Sequence, residues 1–355
     1  MTLKTLRSFF AFIFFCLISQ TGFAVEEDIG TLKLSDVFLE PGFKYVEGQG
    51  GEFQLGSSYL AVTWRRDDLI SAVLKVGSKQ LIGVPSRYAP APAADEIAVI
   101  EGYAQIDSDY GRVRMGLIPI SFGLEGGDIE RQLRFPRSLM FQSRFLNLRD
   151  LGVSYRIAVN GFFSEWAVHN GEGGTERDHE TWFTGNWGWE SGRAFRIGIS
   201  GAVGRTNPKS TDPSGASGSK QTGFRTDEPA RLRIANAFLD WVPDPIRVSI
   251  EATAGDTFQG EEVMKFRALH ADLEWRIWQS LSLMTRYDVM NPRNDVDDSE
   301  ITEYTAGLSI RSRYENSVLY VLGTKRVQRN VTPDVHIGMV IWRITPLVSS
   351  FTSAL

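Results

Sequence analysis

Apolar and polar residues alternate along most of this chain, from about residue 50 to residue 344. In "DLGVSYRIAVNG", Leu151, Val153, Tyr155, Ile157 and Val159 fall on one face, and Gly152, Ser154, Arg156 and Ala158 on the other. "RAFRIGISGAVG", "PIRVSIEATAG" and "TEYTAGLSIRS" repeat the pattern. A period of two is the signature of strands with one apolar and one polar face. Turn residues separate the runs. "NG" at 160–161, "ESGR" at 190–193, "VPDP" at 242–245 and "YENS" at 314–317 read as tight hairpin turns. Residues 119–149, 170–180, 205–230, 256–263 and 291–301 are richer in Gly, Pro, Asp, Asn and Ser and read as long loops. Roughly fifteen strands can be counted. Residues 42–48 could supply another, although residues 25–50 as a whole read as an irregular N-terminal lead.

A two-sheet soluble sandwich and a membrane barrel both alternate. The sandwich would carry many Lys and Glu on its outer polar face. Here the polar face is Gly, Ser and Thr with interspersed Arg, and the apolar face carries Tyr59, Tyr155, Trp166, Trp182, Tyr287, Tyr304 and Trp342 near strand ends, as in an aromatic girdle. Short turns alternating with long loops fit short periplasmic turns and long external loops. The expected fold is all-β: a transmembrane antiparallel β-barrel of 16 strands, with 14 as the other even count.

Residues 1–24 strengthen that reading. Lys4 and Arg7 precede an apolar run, and Gly22 and Ala24 are small residues at a cleavage position, so 1–24 reads as a secretory signal peptide and 25–355 as an outer-membrane barrel. The single cysteine, Cys16, lies inside the signal. Without residues 1–24 the chain carries 36 basic and 43 acidic groups, a charge of −7, which argues against a nucleic-acid partner. No later stretch approaches 18 consecutive apolar residues, which excludes a helical membrane protein.

"GRVRMGLIPISFGLE" (111–125), "RQLRFPRSLMFQS" (131–143), "RDLGVSYR" (149–156) and "WAVHNGEGG" (166–174) resemble, in order, motifs of the phosphate-selective porin O/P family. The likeness covers about sixty-five residues. It implies a 16-stranded barrel, often trimeric, passing anions such as phosphate through a constriction lined by basic residues. The ending "SSFTSAL" departs from the family's terminal aromatic, with Trp342 or Phe351 as substitutes.

The arginines carry the candidate chemistry. Arg112 and Arg114 alternate with Val113, Met115 and Leu117, so a barrel would turn them to the lumen. Pro119, which cannot donate to the ladder, stops that strand, and 119–149 reads as a loop folded into the lumen as a constriction. It carries Arg131, Arg134, Arg137, Arg144 and Arg149; the first three recur every third residue, which on a helical turn would align them. Arg156, Arg196, Arg247, Arg286 and Arg311 would extend the series along the wall. Guanidinium is always charged and forks onto oxyanions. The same arginines could equally pair with Glu125, Asp128, Glu130 and Asp150 to hold the loop. The expected function is therefore a passive anion porin. The alternative is a narrow or plugged barrel that anchors to the envelope or receives a partner. His169, His179, His270 and His336 show no metal-ligand spacing, no Gly-x-Ser-x-Gly element occurs, and "GEGG" (171–174) lacks the lysine of a phosphate loop. No enzyme activity, metal or cofactor is expected.

Overall fold

The computed structural model describes residues 31–82, 96–127, 129–143, 145–171, 179–192, 194–206, 230–259, 262–294, 299–312, 316–328 and 331–345. The expected signal peptide 1–24, Arg144, the Gly/Ser-rich stretch 207–223 and Phe351 lie outside them. The strand segments are β1 (Thr31–Phe38), β2 (Gly42–Val46), β3 (Gly50–Gln54), β4 (Tyr59–Arg65), β5 (Ile70–Ser78), β6 (Ile97–Ser108), β7 (Gly111–Pro119), β8 (Arg149–Val159) and β9 (Phe162–His169). They continue as β10 (Trp182–Ser191), β11 (Phe195–Thr206), β12 (Ala230–Trp241), β13 (Ile246–Gln259), β14 (Glu262–Trp278), β15 (Leu281–Asn291), β16 (Ile301–Arg311), β17 (Ser317–Gln328) and β18 (Val331–Ile344).

All eighteen segments belong to one sheet. The first four make two barrel strands, each interrupted once. β1 pairs with β4, Phe38 opposite Tyr59, and β2 with β3, Gly42 opposite Gln54. The chain from 31 to 46 therefore lies antiparallel to the chain from 50 to 65 with almost continuous register. β2 also pairs with β18, Gly42 opposite Ile341, and Leu39 bridges Ile344. Each strand then has two neighbours. The result is a closed antiparallel barrel of sixteen staves. Closure joins the two edges of the sheet, which an open sheet would leave unpaired in lipid.

Two expectations from the sequence shift. The lead 25–50 is not irregular throughout: its described part supplies the first stave. Residues 256–263 do not form a long loop, because β13 and β14 run to Gln259 and Glu262, which face each other. One barrel end joins staves through 66–69, 109–110, 160–161, 192–194, 242–245, 279–280 and 312–316. The other carries the long connections 79–96, 120–148, 170–181, 207–229 and 292–300.

The burial pattern is inverted relative to a water-soluble protein. Met115, Val153, Ile199 and Val203 stand exposed on the outer surface, whereas Ser154, Asn186, Ser200, Asn236 and Thr253 are buried inside. Tyr155, Trp166, Tyr287, Tyr304 and Trp342 face outward as expected. Tyr59 and Trp182 do not. Tyr59 points inward to bond Asp36 beneath Lys75. Trp182 donates to the Arg205 carbonyl and stacks on His169. Both polar atoms are hydrogen-bonded while the rings stay buried.

Candidate functional site

β7 ends at Pro119, and the chain leaves the wall at 120. Segment 120–148 folds into the lumen and touches staves on all sides. The Gly123 N–H donates to Ser200 (2.9 Å) on β11, and the Leu124 N–H to Glu251 (2.7 Å) on β13. Asn186 on β10 donates to Ser121 (2.9 Å). The Leu139 N–H donates to Asp288 (2.7 Å) on β15. Arg343 on β18 donates to the Leu133 carbonyl and to Glu40. A four-residue helix, α1 (Leu139–Gln142), carries Leu139, Met140 and Phe141 into a buried apolar cluster with Phe122, Phe145, Leu232, Ile234, Phe266 and Met290. The loop thus packs apolar residues against β10–β12 and β14–β16, and Phe135 against β15, β17 and β18.

Glu125 is the polar centre of this contact. Arg286 on β15 donates to Glu125 (2.7 Å), to both oxygens of Asp272 (2.6 and 2.7 Å) and to the Pro136 carbonyl (2.5 Å). Burial pushes the Glu125 carboxyl up, but Arg286, His270 and the Ser138 N–H outweigh it and hold the group down at about 2. Burial likewise opposes ionisation of Glu130, yet Arg149 and Arg137 keep it well below the usual carboxylate range. Glu125, His270 and Asp272 bring ligand-type atoms within 4.8 Å of one another. Arg286 occupies the place a cation would take.

The loop arginines do not align. Segment 131–137 is not helical, so Arg131 reaches Asp36 on β1, Arg134 lies 3.2 Å from Glu274 on β14, and Arg137 turns back to Glu130 (2.8 Å) and the Glu125 carbonyl (2.9 Å). Arg149 is fully buried between Glu101 (3.0 Å) and Glu130 (2.8 Å), a structural position rather than a pore-lining one. On the wall, Arg112 bonds Asp107, Arg114 bonds Gln105, Arg247 forks onto Asp240 (2.8 and 2.8 Å) and Arg311 bonds Glu274 (2.7 Å). Among the described residues, Arg156 and Arg196 have acids no nearer than 3.6 and 4.0 Å. Pairing with carboxylates, one of the two readings open in the sequence, accounts for most of the series.

Open space lies on both sides of the loop. Toward the short-turn end is a cavity of about 740 Å³ whose lining includes Arg114, Arg131, Arg134, Arg156, Arg196 and Arg247 against Glu165, Glu190 and Asp240. Six guanidinium groups face three carboxylates. Toward the long-loop end is a cavity of about 480 Å³, lined by Lys44, Arg137, Arg286, Arg326 and Arg343 against Glu40 and Glu303.

Arg326 and Arg343, paired with Glu303 and Glu40, were missed in the sequence, although strand parity places both inward. So was a buried chain of bonds at the loop base: Asp150 to His169 (2.7 Å) and His169 to Thr184 (2.8 Å). It has the order of a nucleophilic triad, with Thr184 buried at 1 % exposure. The three residues tie β8, β9 and β10 together where the loop re-enters the wall.

No protein-family model matches the chain, and no curated protein matches it by sequence. Solved structures do match it in fold. A loop-deletion mutant of OmpT, an outer membrane protein of Vibrio cholerae, is 12 % identical with a TM-score of 0.66, over 90 % of this chain and 100 % of that one. An anion-selective porin from Comamonas acidovorans is 10 % identical with a TM-score of 0.62, over 89 % and 100 %. The outer membrane channel DcaP of Acinetobacter baumannii is 10 % identical with a TM-score of 0.61, over 92 % and 99 %. The chain has the fold of these outer-membrane barrels.

Proposed function

We propose that the protein is an outer-membrane porin through which small anions diffuse, with the segment 120–148 narrowing the passage. The observation that carries this reading is the short-turn-end cavity, where six arginines face three acids in a chain whose overall charge is negative. Basic residues gathered in a narrow water-filled lumen raise the local concentration of anions and lower their entry barrier. Likeness in fold to an anion-selective porin supports it. Phosphate as the preferred solute rests on the resemblance of residues 110–174, as does a homotrimer; the Vibrio cholerae OmpT structure described as a trimer form supports the latter. On this reading Arg134, Arg156, Arg196 and Arg247 meet the solute, whereas Arg137, Arg149 and Arg286 hold the loop.

The reconstituted protein in a planar bilayer across a chloride gradient should show a reversal potential of the sign for anion selectivity. Inorganic phosphate should depress the chloride current. Cation selectivity would overturn the reading. A plugged barrel is the second reading, favoured by the apolar cluster that joins the loop to β10–β12 and β14–β16. A folded barrel without conductance would decide for it.

A further inference from the structure

Arg156 and Arg196 differ from the other lumen arginines. Neither side chain makes a hydrogen bond to any described residue, and the Arg196 Nε is buried without a hydrogen-bond partner among them. Their surroundings are built nonetheless. Phe163, Gly188, Gly198 and Phe238 lie side by side across β9, β10, β11 and β12 on the inner face. A Cβ at Gly188 would lie 2.7 Å from the Phe163 ring, and one at Gly198 would lie 2.5 Å from the Phe238 ring. The two glycines therefore let both rings lie flat against the wall as an aromatic floor. The Arg196 guanidinium sits on it, 4.9 Å from the Phe163 centroid and 5.4 Å from that of Phe238. Arg156 approaches the same Phe163 ring at 5.9 Å.

The acids nearby leave both groups incompletely served. Asp240, opposite Arg196 in register, is taken by Arg247 and Ser249. Glu190 stands between the two arginines, 3.6 Å from Arg156 and 4.0 Å from Arg196, too far to bond either. Glu165 lies 3.6 Å from Arg156. The station opens on the cavity of about 740 Å³.

We propose that Arg156 and Arg196, seated on the Phe163–Phe238 floor, bind a small oxyanion, a carboxylate or a phosphate, with Glu190 as a built-in competitor for the same donors. A planar fork of N–H groups fits oxygen atoms of such an ion better than a spherical halide. Glu190 keeps the station from holding its ligand tightly, as passage requires. The inference rests on the anion-porin reading.

The test is the saturation of single-channel current in acetate, in phosphate and in chloride, with folding checked by heat-modifiable migration on gels. In the wild type, acetate and phosphate currents should saturate at lower concentration than chloride. Glu190→Gln should lower the half-saturating oxyanion concentration about tenfold, and Arg196→Gln should raise it about tenfold, each the effect of one charged contact. Arg196→Lys, which keeps the charge but loses the fork, should restore chloride current more than oxyanion current. An anion-selective wild type whose saturation is unmoved by Glu190→Gln and by Arg196→Gln would overturn the station and leave the porin reading standing. A wild type without anion selectivity would overturn the porin reading itself.

Discussion

Arg286 joins the wall to the loop at one point, and its energetics follow from burial. It satisfies Glu125 and Asp272 together, with all three side chains largely shielded from water. Removing one member of such a group leaves buried charge uncompensated, at about 3–5 kcal/mol. Arg286→Met should lower the unfolding free energy in denaturant by that order, or release the loop if the barrel holds. The Glu125 carboxyl also makes the contact depend on pH. Its folded value of about 2 lies below the ordinary 4.5, so its stabilisation is fully present above pH 4.5. That stabilisation is lost as pH falls toward 2, with a ceiling of ~3 kcal/mol. Proteolysis of the loop should therefore rise between pH 4.5 and 2 in the wild type. Glu125→Gln should flatten that change, and an unaltered acid profile in the variant would count against Glu125 as the latch.

At the scale of elements, the first turn of the loop 120–148 uses the conformational freedom of Gly123 and Gly127. Gly123 has φ of 59°, and a Cβ there would lie 2.2 Å from the Glu251 carboxylate that accepts the Leu124 N–H. Gly123→Ala should displace that end of the loop and change the conductance, while the barrel still migrates as folded; unchanged current would mean the loop end tolerates the shift. Much of this element was legible in sequence. Pro119 ends β7 where a missing donor predicts it, and the length of 120–148 announces an insertion. The destinations of Arg131, Arg134 and Arg137 were not legible. Spacing of three implies one direction only on a helix, and here three separate acids draw them to β1, to β14 and back into the loop. Asp36 and Glu274 lie 95 and 140 residues from their arginines, and only register across closed staves brings them near, whereas Glu130 is seven residues from Arg137 in the same loop. The floor under Arg196 was hidden for the same reason: Phe163 and Phe238 meet Gly188 and Gly198 only through pairing of four staves.

For the whole molecule, period-two alternation identified the staves because each faces two solvents. It left the first stave obscure because 39–41 and 55–58 interrupt the ladder, and it misread 256–263 because Gly255 and Asp256 sit within a strand whose inner face is polar. The inverted distribution of exposed apolar and buried polar side chains has a direct consequence. Ile199 is 58 % exposed at the middle of β11, where a soluble protein would accept arginine at little cost. If that surface meets hydrocarbon, Ile199→Arg should cost ~2–4 kcal/mol when the protein folds into lipid bilayers, because the charge is held near mid-depth. Ile199→Leu should cost far less, since the lipid face asks only for apolar surface. The measurement is reversible unfolding in denaturant from vesicles, with both variants beside the wild type. A cost near zero for arginine would place water, not lipid, against β11, and with it would fall the assignment of the outer surface to a membrane.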